Sequence, residues 1–429
     1  MSQAPKALHI VLNGVTEDSR VLKCAWSLGN AGWDVTVFGA SPHHHDDFMT
    51  IGYARVDRVN LKVVVTHDFI AKSLRRLRRY KRRAEVRLKI KRSVGIPNLA
   101  RAVATLKPRA LAMRPDVIHA HDYTALPVAG ALLAELAKIG HSARLIYDAH
   151  EYVPGVAHLN APLVKAYTAS EVKYSAQSSA ILSVSEGMSD LLIPHLQISS
   201  RPDLVANDPL VEGQEVSSRN LRTDCGIDAQ VPLMVYAGAV APQRGLATAV
   251  AALRELPDVH LVVIANPANA TVKDLQEKNQ DLSGRLHVAP YVPNAELVSY
   301  LSTATIGLIP ILHKLNHEIS LITKFGEYVQ ARLPILVSDV RTMSAEVRLL
   351  GNGEVHIAGD VVDFVAAAKK ILENPKKYSA VYTDEILRER SWELQAEHLV
   401  SIYNRIADVN PEQRAHLPFV LTKPVRERQ

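Results

Sequence analysis

Two short apolar runs, Ala304-Thr-Ile-Gly-Leu-Ile-Pro310 and Pro334-Ile-Leu-Val-Ser-Asp339, constrain the fold more than any other feature of the chain. Each reads as a buried strand of a parallel sheet. Between them a polar loop begins at Asn316, and Lys324 to Gln330 has helical character, so the segment is a strand–loop–helix–strand crossover. Glu318 and Glu327 bracket a loop that becomes a helix at the carboxyl end of a strand. In open α/β sheets ligands sit at that place, where helix N-termini turn unpaired N–H groups toward anions. Lys324 falls in the first helical turn, where a cation opposes the helix dipole. An anionic ligand such as a diphosphate would explain it.

The same pattern recurs along the chain. Ala7 to Asn13 is a short apolar strand ending in Gly14, and Val15 to Arg20 leads into a helix with apolar positions Val21, Leu22, Ala25 and Leu28. Gly32 to Gly39 is the next strand, which makes a βαβ opening. Asp116-Val-Ile-His119-Ala-His121-Asp122 and Ala143-Arg-Leu-Ile-Tyr-Asp148-Ala-His150-Glu151 are two strands with polar tips, separated by a helix from about Leu126 to Ile139. Strand periodicity puts His119 and His121 on one face. One histidine alone reads as structural; several polar residues at equivalent strand ends read as a site on one rim of the sheet. Ser179 to Gly187 is a further strand and turn. The α/β pattern then restarts with strands at Leu233–Gly238, Val259–Ala265 and Leu286–Pro290.

The expected division is an N-terminal domain to residue 206, with a hinge at about 206–212, and a second domain over 207–390. A closing helix over 391–406 returns toward the first domain, and a loose tail runs from 407 to 429. A chain of 429 residues with 47% hydrophobic and 22% charged residues suits a globular protein of two or three domains. Aromatics at 5% argue against a surface that stacks single-stranded bases, and no nucleic acid is expected. No long apolar run predicts a transmembrane helix or signal peptide, which implies a cytoplasmic location. Cys24 and Cys225 make no metal-ligand spacing, and His43-His44-His45-Asp46-Asp47 reads as a solvated loop.

Charge is uneven: +10 over residues 1–205 and −4 over 206–429, together the net +6. Twelve Lys and Arg lie between Lys72 and Arg92 against one acid, Glu85. Ile70, Leu74, Leu77, Ala84 and Leu88 keep helical spacing through it. Ile70–Arg92 is therefore a basic amphipathic helix suited to an anionic membrane surface, to a polyanion, or simply to a charged outer face.

The stretch Asn316-His317-Glu318, Lys324, Glu327-Tyr328 and Leu333-Pro334 resembles the donor-site motif of family-4, nucleotide-sugar-dependent glycosyltransferases. Ile322-Thr323, Gly326 and Arg332 depart from that pattern. His119-Ala-His121-Asp122, Asp148-Ala-His150-Glu151, Ser185-Glu-Gly187 and Asp18-x-Arg20 also match, in family order, from about residue 7 to 406. The resemblance implies the GT-B fold, two Rossmann-like domains facing a central cleft, and a retaining transfer of a sugar from a nucleoside-diphosphate sugar. It places Gly14, Gly238, Gly245, Ser320, Leu321, Glu327 and Tyr291 at the donor and Asp18, Arg20, His119, Asp122, His150 and Glu151 on the acceptor side. Glu318, His121, Arg244 and Lys324 become the catalytic set. A histidine of the first motif, His121 or else His119, would contact the donor sugar, and Glu318 would hold a sugar hydroxyl. An Arg that relatives carry directly after the first Gly is Ala239 here, which leaves Arg244 and Lys324 for the diphosphate.

No Asp-x-Asp occurs, so no metal is indicated, and the resemblance implies no cofactor beyond the donor substrate. The acceptor would be a cell-envelope, lipid-linked or polysaccharide glycan, met at the membrane's cytoplasmic face. A GT-B epimerase or phosphorylase, or a non-catalytic protein binding polyanions or membranes, are the competing readings.

Overall fold

The computed structural model describes residues 4–43, 45–61, 96 and 98–423; the basic stretch Ile70–Arg92 lies outside them. The chain groups into two compact units, one of 1–148, 156–181 and 406–429, the other of 149–155 and 182–405. The expected division placed the main boundary at 206, with a closing helix over 391–406 and a tail over 407–429. Its strands are β1 (Lys6–Ile10), β2 (Asp34–Ala40), β3 (Asp47–Ile51), β4 (Ala54–Val59), β5 (Val117–His121), β6 (Arg144–Ala149), β7 (Ala180–Ser183), β8 (Asp203–Leu204), β9 (Leu233–Ala237), β10 (His260–Ile264), β11 (Leu286–Ala289), β12 (Ile306–Ile309), β13 (Ile335–Ser338), β14 (Gly353–His356) and β15 (Leu421–Thr422).

The first sheet has the order β15-β3-β4-β2-β1-β5-β6-β7-β8. β1 pairs in parallel with β2 on one side and β5 on the other, in a register that sets His9 beside His119. The helix Ser19–Asn30 follows β1 and starts at Asp18, whose carboxylate accepts the Val21 N–H at 3.2 Å. That is an ordinary N-cap. The helix after β5, Asp122–Lys138, begins at the strand end itself, several residues before the apolar pattern predicted. Asp122 makes this abrupt turn with φ +71° and accepts the Tyr123 N–H at 2.8 Å.

The tail expected to be loose makes contacts as far as Thr422. Trp26 Nε1 donates to the Leu417 carbonyl at 2.8 Å, Tyr53 OH donates to that of Ala415 at 2.9 Å, and His416 and Phe419 meet the Trp26 ring edge-on. β15 then pairs antiparallel with β3. The partners Trp26, Asn30 and Tyr53 are nearly four hundred residues away in sequence, beyond the reach of a local pattern.

The second sheet is wholly parallel, in the order β11-β10-β9-β12-β13-β14. Leu233, Val235 and Ala237 face one core with Phe325, Tyr328 and Val329, while Met234 and Tyr236 face the other with Leu253 and Phe364. Cover on both faces explains the unbroken apolar runs. Chain order reverses between β9 and β12, the place where open α/β sheets bind ligands. These two strands share only the pairs Ile306↔Met234 and Gly307↔Val235, then part. Tyr328 fills the gap: its hydroxyl accepts the Ala237 N–H at 3.1 Å and lies 3.3 Å from the Val235 and Leu308 carbonyls. Its ring lies against Gly307, where any Cβ would come within 2.6 Å.

The helix Trp392–Ala407 is tied to the crossing segment, its Gln395 accepting the Ala206 N–H at 2.9 Å and its Trp392 N–H donating to Pro209 at 2.8 Å. Among the described residues, no helix is long and apolar enough to cross a membrane.

Candidate functional site

In the second unit the reversal point carries the residues the sequence singled out. The helix Thr323–Gln330 starts here with Ile322 as N-cap, with no side chain capping it and no acid in its first turn. Its first N–H groups and the dipole therefore form an electropositive end. Lys324 lies across Gly238 at the tip of β9: its Cε is 3.6 Å from where a Cβ would stand. Its ammonium pairs with Glu327 at 2.6 Å, and Glu327 is mostly buried while Lys324 is about a quarter exposed. The pair offsets both charges.

Arg244 ends the short turn Pro242–Arg244, and Gly245 follows with φ +70°. A side chain at 245 is impossible, because its Cβ would stand 1.7 Å from the Pro310 carbonyl oxygen. The turn is pinned to the end of β12 by the Leu312 N–H, which donates to Gln243 at 3.0 Å. Burial pushes the Tyr236 hydroxyl up to about 12, with the Arg244 charge opposing it. Tyr291 is exposed.

Glu318 belongs to the short helix Leu315–Ile319 after β12. One carboxylate oxygen meets His313 Nδ1 at 2.5 Å and the other accepts the Arg341 N–H at 2.9 Å. The hydrogen bond to Glu318 raises the His313 pKa, with Asp339 adding to it. Ser320 donates its hydroxyl to the Asn316 carbonyl at 2.5 Å. Leu321 packs against the core. Ser185 donates to the Ile319 carbonyl, which brings the Ser185-Glu-Gly187 turn to the same loop.

The first unit has a polar centre at its own reversal point, between β1 and β5. His9, His119 and His121 are buried, with His119 and His121 stacked at 4.0 Å between ring centroids. His121 Nδ1 lies 3.3 Å and His119 Nε2 3.4 Å from Asp148 Oδ2, and His121 Nε2 meets His9 Nδ1 at 3.0 Å. Asp148 also takes two bonds from Arg20, at 2.9 and 2.8 Å. One tautomer set fits the closer contacts: His121 donates to Asp148 and His9 donates to His121, while His119 Nε2 faces Asp148 outside hydrogen-bond geometry. Burial first, then the neighbouring histidine charge, pushes His9 well below its usual range, and burial takes His119 down to about 3. His9 and His119 are neutral at pH 7. Their ligand atoms lie within 4.8 Å of one another, but a metal there would have to displace the hydrogen bond between His9 and His121.

These placements bear on several of the expected roles. His121 has both ring nitrogens engaged inside its own unit and is fully buried, and His119 is equally enclosed. Asp18 is a helix cap that also receives the Asn13 amide at 2.7 Å, and Arg20 is buried against Asp148. Gly14 has open space about its Cβ position, so packing does not demand a glycine. His150 is half-buried and Glu151 exposed in the stretch 149–155, grouped with the second unit. The sequence reading missed His9, the pairing role of Asp148, His313 and the hydroxyl of Tyr328. A histidine inside the apolar run of β1 was the available signal for His9.

Comparison with known proteins agrees with this geometry. Residues 18–208 match the model of the glycosyl transferase 4-like domain and residues 231–374 that of glycosyl transferases group 1. Alpha-maltose-1-phosphate synthase of Mycolicibacterium smegmatis is 26% identical over 322 residues, 68% of this chain and 79% of that protein. The fold is similar to sucrose-phosphate synthase from Thermosynechococcus elongatus, with TM-score 0.71 at 15% identity over 94% of this chain and 99% of that one. The E. coli trehalose-6-phosphate protein bound with UDP-2-fluoro glucose gives TM-score 0.64 at 13% identity, over 95% and 100% of the chains. With its two domain matches and its two parallel-sheet Rossmann-like units, the chain belongs to the glycosyltransferases of the GT-B fold.

Proposed function

We propose that this chain is a retaining hexosyltransferase that uses a nucleoside-diphosphate sugar as donor. The observation that carries the reading is the Lys324–Glu327 pair lying over Gly238, at an uncapped helix start where the sheet order reverses. As the sugar–phosphate bond breaks, negative charge grows on the leaving diphosphate. Arg244, Lys324 and the helix N–H groups meet it in a preorganised way, which is the main electrostatic contribution an enzyme makes to such a step. No metal is needed for it. Glu327, released from Lys324, accepts from the ribose hydroxyls, and Glu318 holds a sugar hydroxyl. Transfer on the same face, assisted by the departing phosphate, keeps the anomeric configuration.

The acceptor we propose is anionic: a phosphorylated sugar or a lipid-linked envelope glycan met at the cytoplasmic membrane face. The basic excess of the first half supports this. So do the sugar phosphates in the names of the relative and of the structural neighbours.

The test is a thermal-shift panel of UDP, GDP and ADP with their common sugar conjugates, without added metal. A ligand at a hundred times its dissociation constant adds about 2.7 kcal/mol of stability. One base standing out supports the reading and names the donor; no shift with any of them overturns it.

A further inference from the structure

We propose that His313 is a positioning residue for Glu318, fixing the carboxylate that faces the donor sugar; this rests on the transferase reading above. A glutamate side chain on a five-residue helix has no intrinsic reason to hold one rotamer. Here the side chain is held at two points and the main chain at a third. Oε1 meets His313 Nδ1 at 2.5 Å, Oε2 accepts the Arg341 N–H at 2.9 Å, and the Glu318 carbonyl accepts the Thr342 hydroxyl at 2.9 Å. The far ring nitrogen, His313 Nε2, lies 3.0 Å from Asp339 Oδ1, and the same oxygen takes the Ala358 N–H at 2.9 Å.

The imidazole therefore bridges two carboxylates. Only the doubly protonated ring donates to both; a neutral ring must abandon one. The contacts hold although His313 is about half exposed to water, as charge-assisted hydrogen bonds do better than neutral ones. The other titratable groups around it are Lys314, next in the chain, Arg341, whose N–H shares Glu318, and His317, which burial keeps neutral with Nδ1 2.6 Å from the Leu312 carbonyl. None of these replaces the bridge. The bridge is complete below the His313 pKa, which lies above its usual value, and is half lost as the pH rises through it.

The test uses the full chain. Initial rates of nucleoside diphosphate release from UDP-glucose, GDP-mannose and ADP-glucose are measured across pH, and the His313 ring is titrated by NMR. With the active donor, His313→Ala lowers kcat about 10- to 100-fold and leaves donor KM within about twofold, the cost of losing orientation rather than binding. His313→Asn, which keeps an N–H near the Nδ1 position, restores most of kcat and abolishes the alkaline decline. The His313 ring titrates above its ordinary range in the wild type and returns toward it in Glu318→Gln. Wild-type kcat and pH profile in His313→Ala, or a His313 titration that ignores Glu318→Gln, overturns the proposal while donor binding stands. A wild type that neither binds nor cleaves any of the donors overturns the transferase reading, and this one with it.

Discussion

The two reversal points of this molecule, one in each sheet, are built from similar polar residues and have opposite character. Between β1 and β5 the charges are closed on themselves: Arg20 is answered by Asp148, Asp148 by His119 and His121, and His121 by His9, all fully or nearly fully buried. Between β9 and β12 the cations are left available. Lys324 is held only by an i,i+3 glutamate, and among the described residues the Arg244 side chain makes no hydrogen bond. A buried network of the first kind rigidifies a sheet, since any missing partner leaves a charge stranded. An open arrangement of the second kind can exchange its partners for a ligand's. The strand order alone does not make a binding site; the state of its hydrogen bonds decides.

The contrast can be broken most severely in the first unit. Arg20→Ala leaves Asp148 buried without its cation, and unfolding should lose about 3–5 kcal/mol. Hydrogen exchange should place that loss within residues 4–148, and the double variant with Asp148→Ala should recover much of it. An Arg20→Ala protein as stable as the wild type would show that the network is not closed as described.

A smaller effect is expected under the donor site. Tyr328→Phe removes the hydroxyl that serves the parted strands and strands the Ala237 N–H, for about 1–3 kcal/mol. The loss should appear in urea unfolding of the second unit and leave exchange in the first unchanged.

Smallest, taken per pH unit, is a pH slope. His9 and His119 have folded pKa values below their unfolded ones, so the unfolded chain binds more protons and stability falls as pH drops from about 6.5 toward 3. Each contributes at most about 1.4 kcal/mol per pH unit. His119→Gln should flatten the thermal midpoint's decline over that window.

What the sequence made legible follows from locality. Apolar runs and their helical crossovers lay open in the order of residues, as did the segment Glu318–Glu327 with Lys324, because all its parts belong to one strand–loop–helix unit. His119 and His121 on one face followed from strand periodicity alone. Their burial did not, because the closing partners Arg20 and His9 come from β1 and its helix more than a hundred residues earlier. The same distance hid the tail, whose docking on Trp26 and Asn30 needs the fold to exist first. His313 was hidden differently: it lies in a polar loop, and only the bend between β12 and the next helix aims it at Glu318.

The most direct measurement is titration calorimetry of the wild type and Lys324→Ala with the nucleoside diphosphate selected by the thermal-shift panel. Loss of one charge-assisted hydrogen bond to phosphate costs about 1.5–3 kcal/mol, so the dissociation constant should rise at least tenfold. Equal affinity in the two proteins would contradict a diphosphate site at the reversal point of the second sheet.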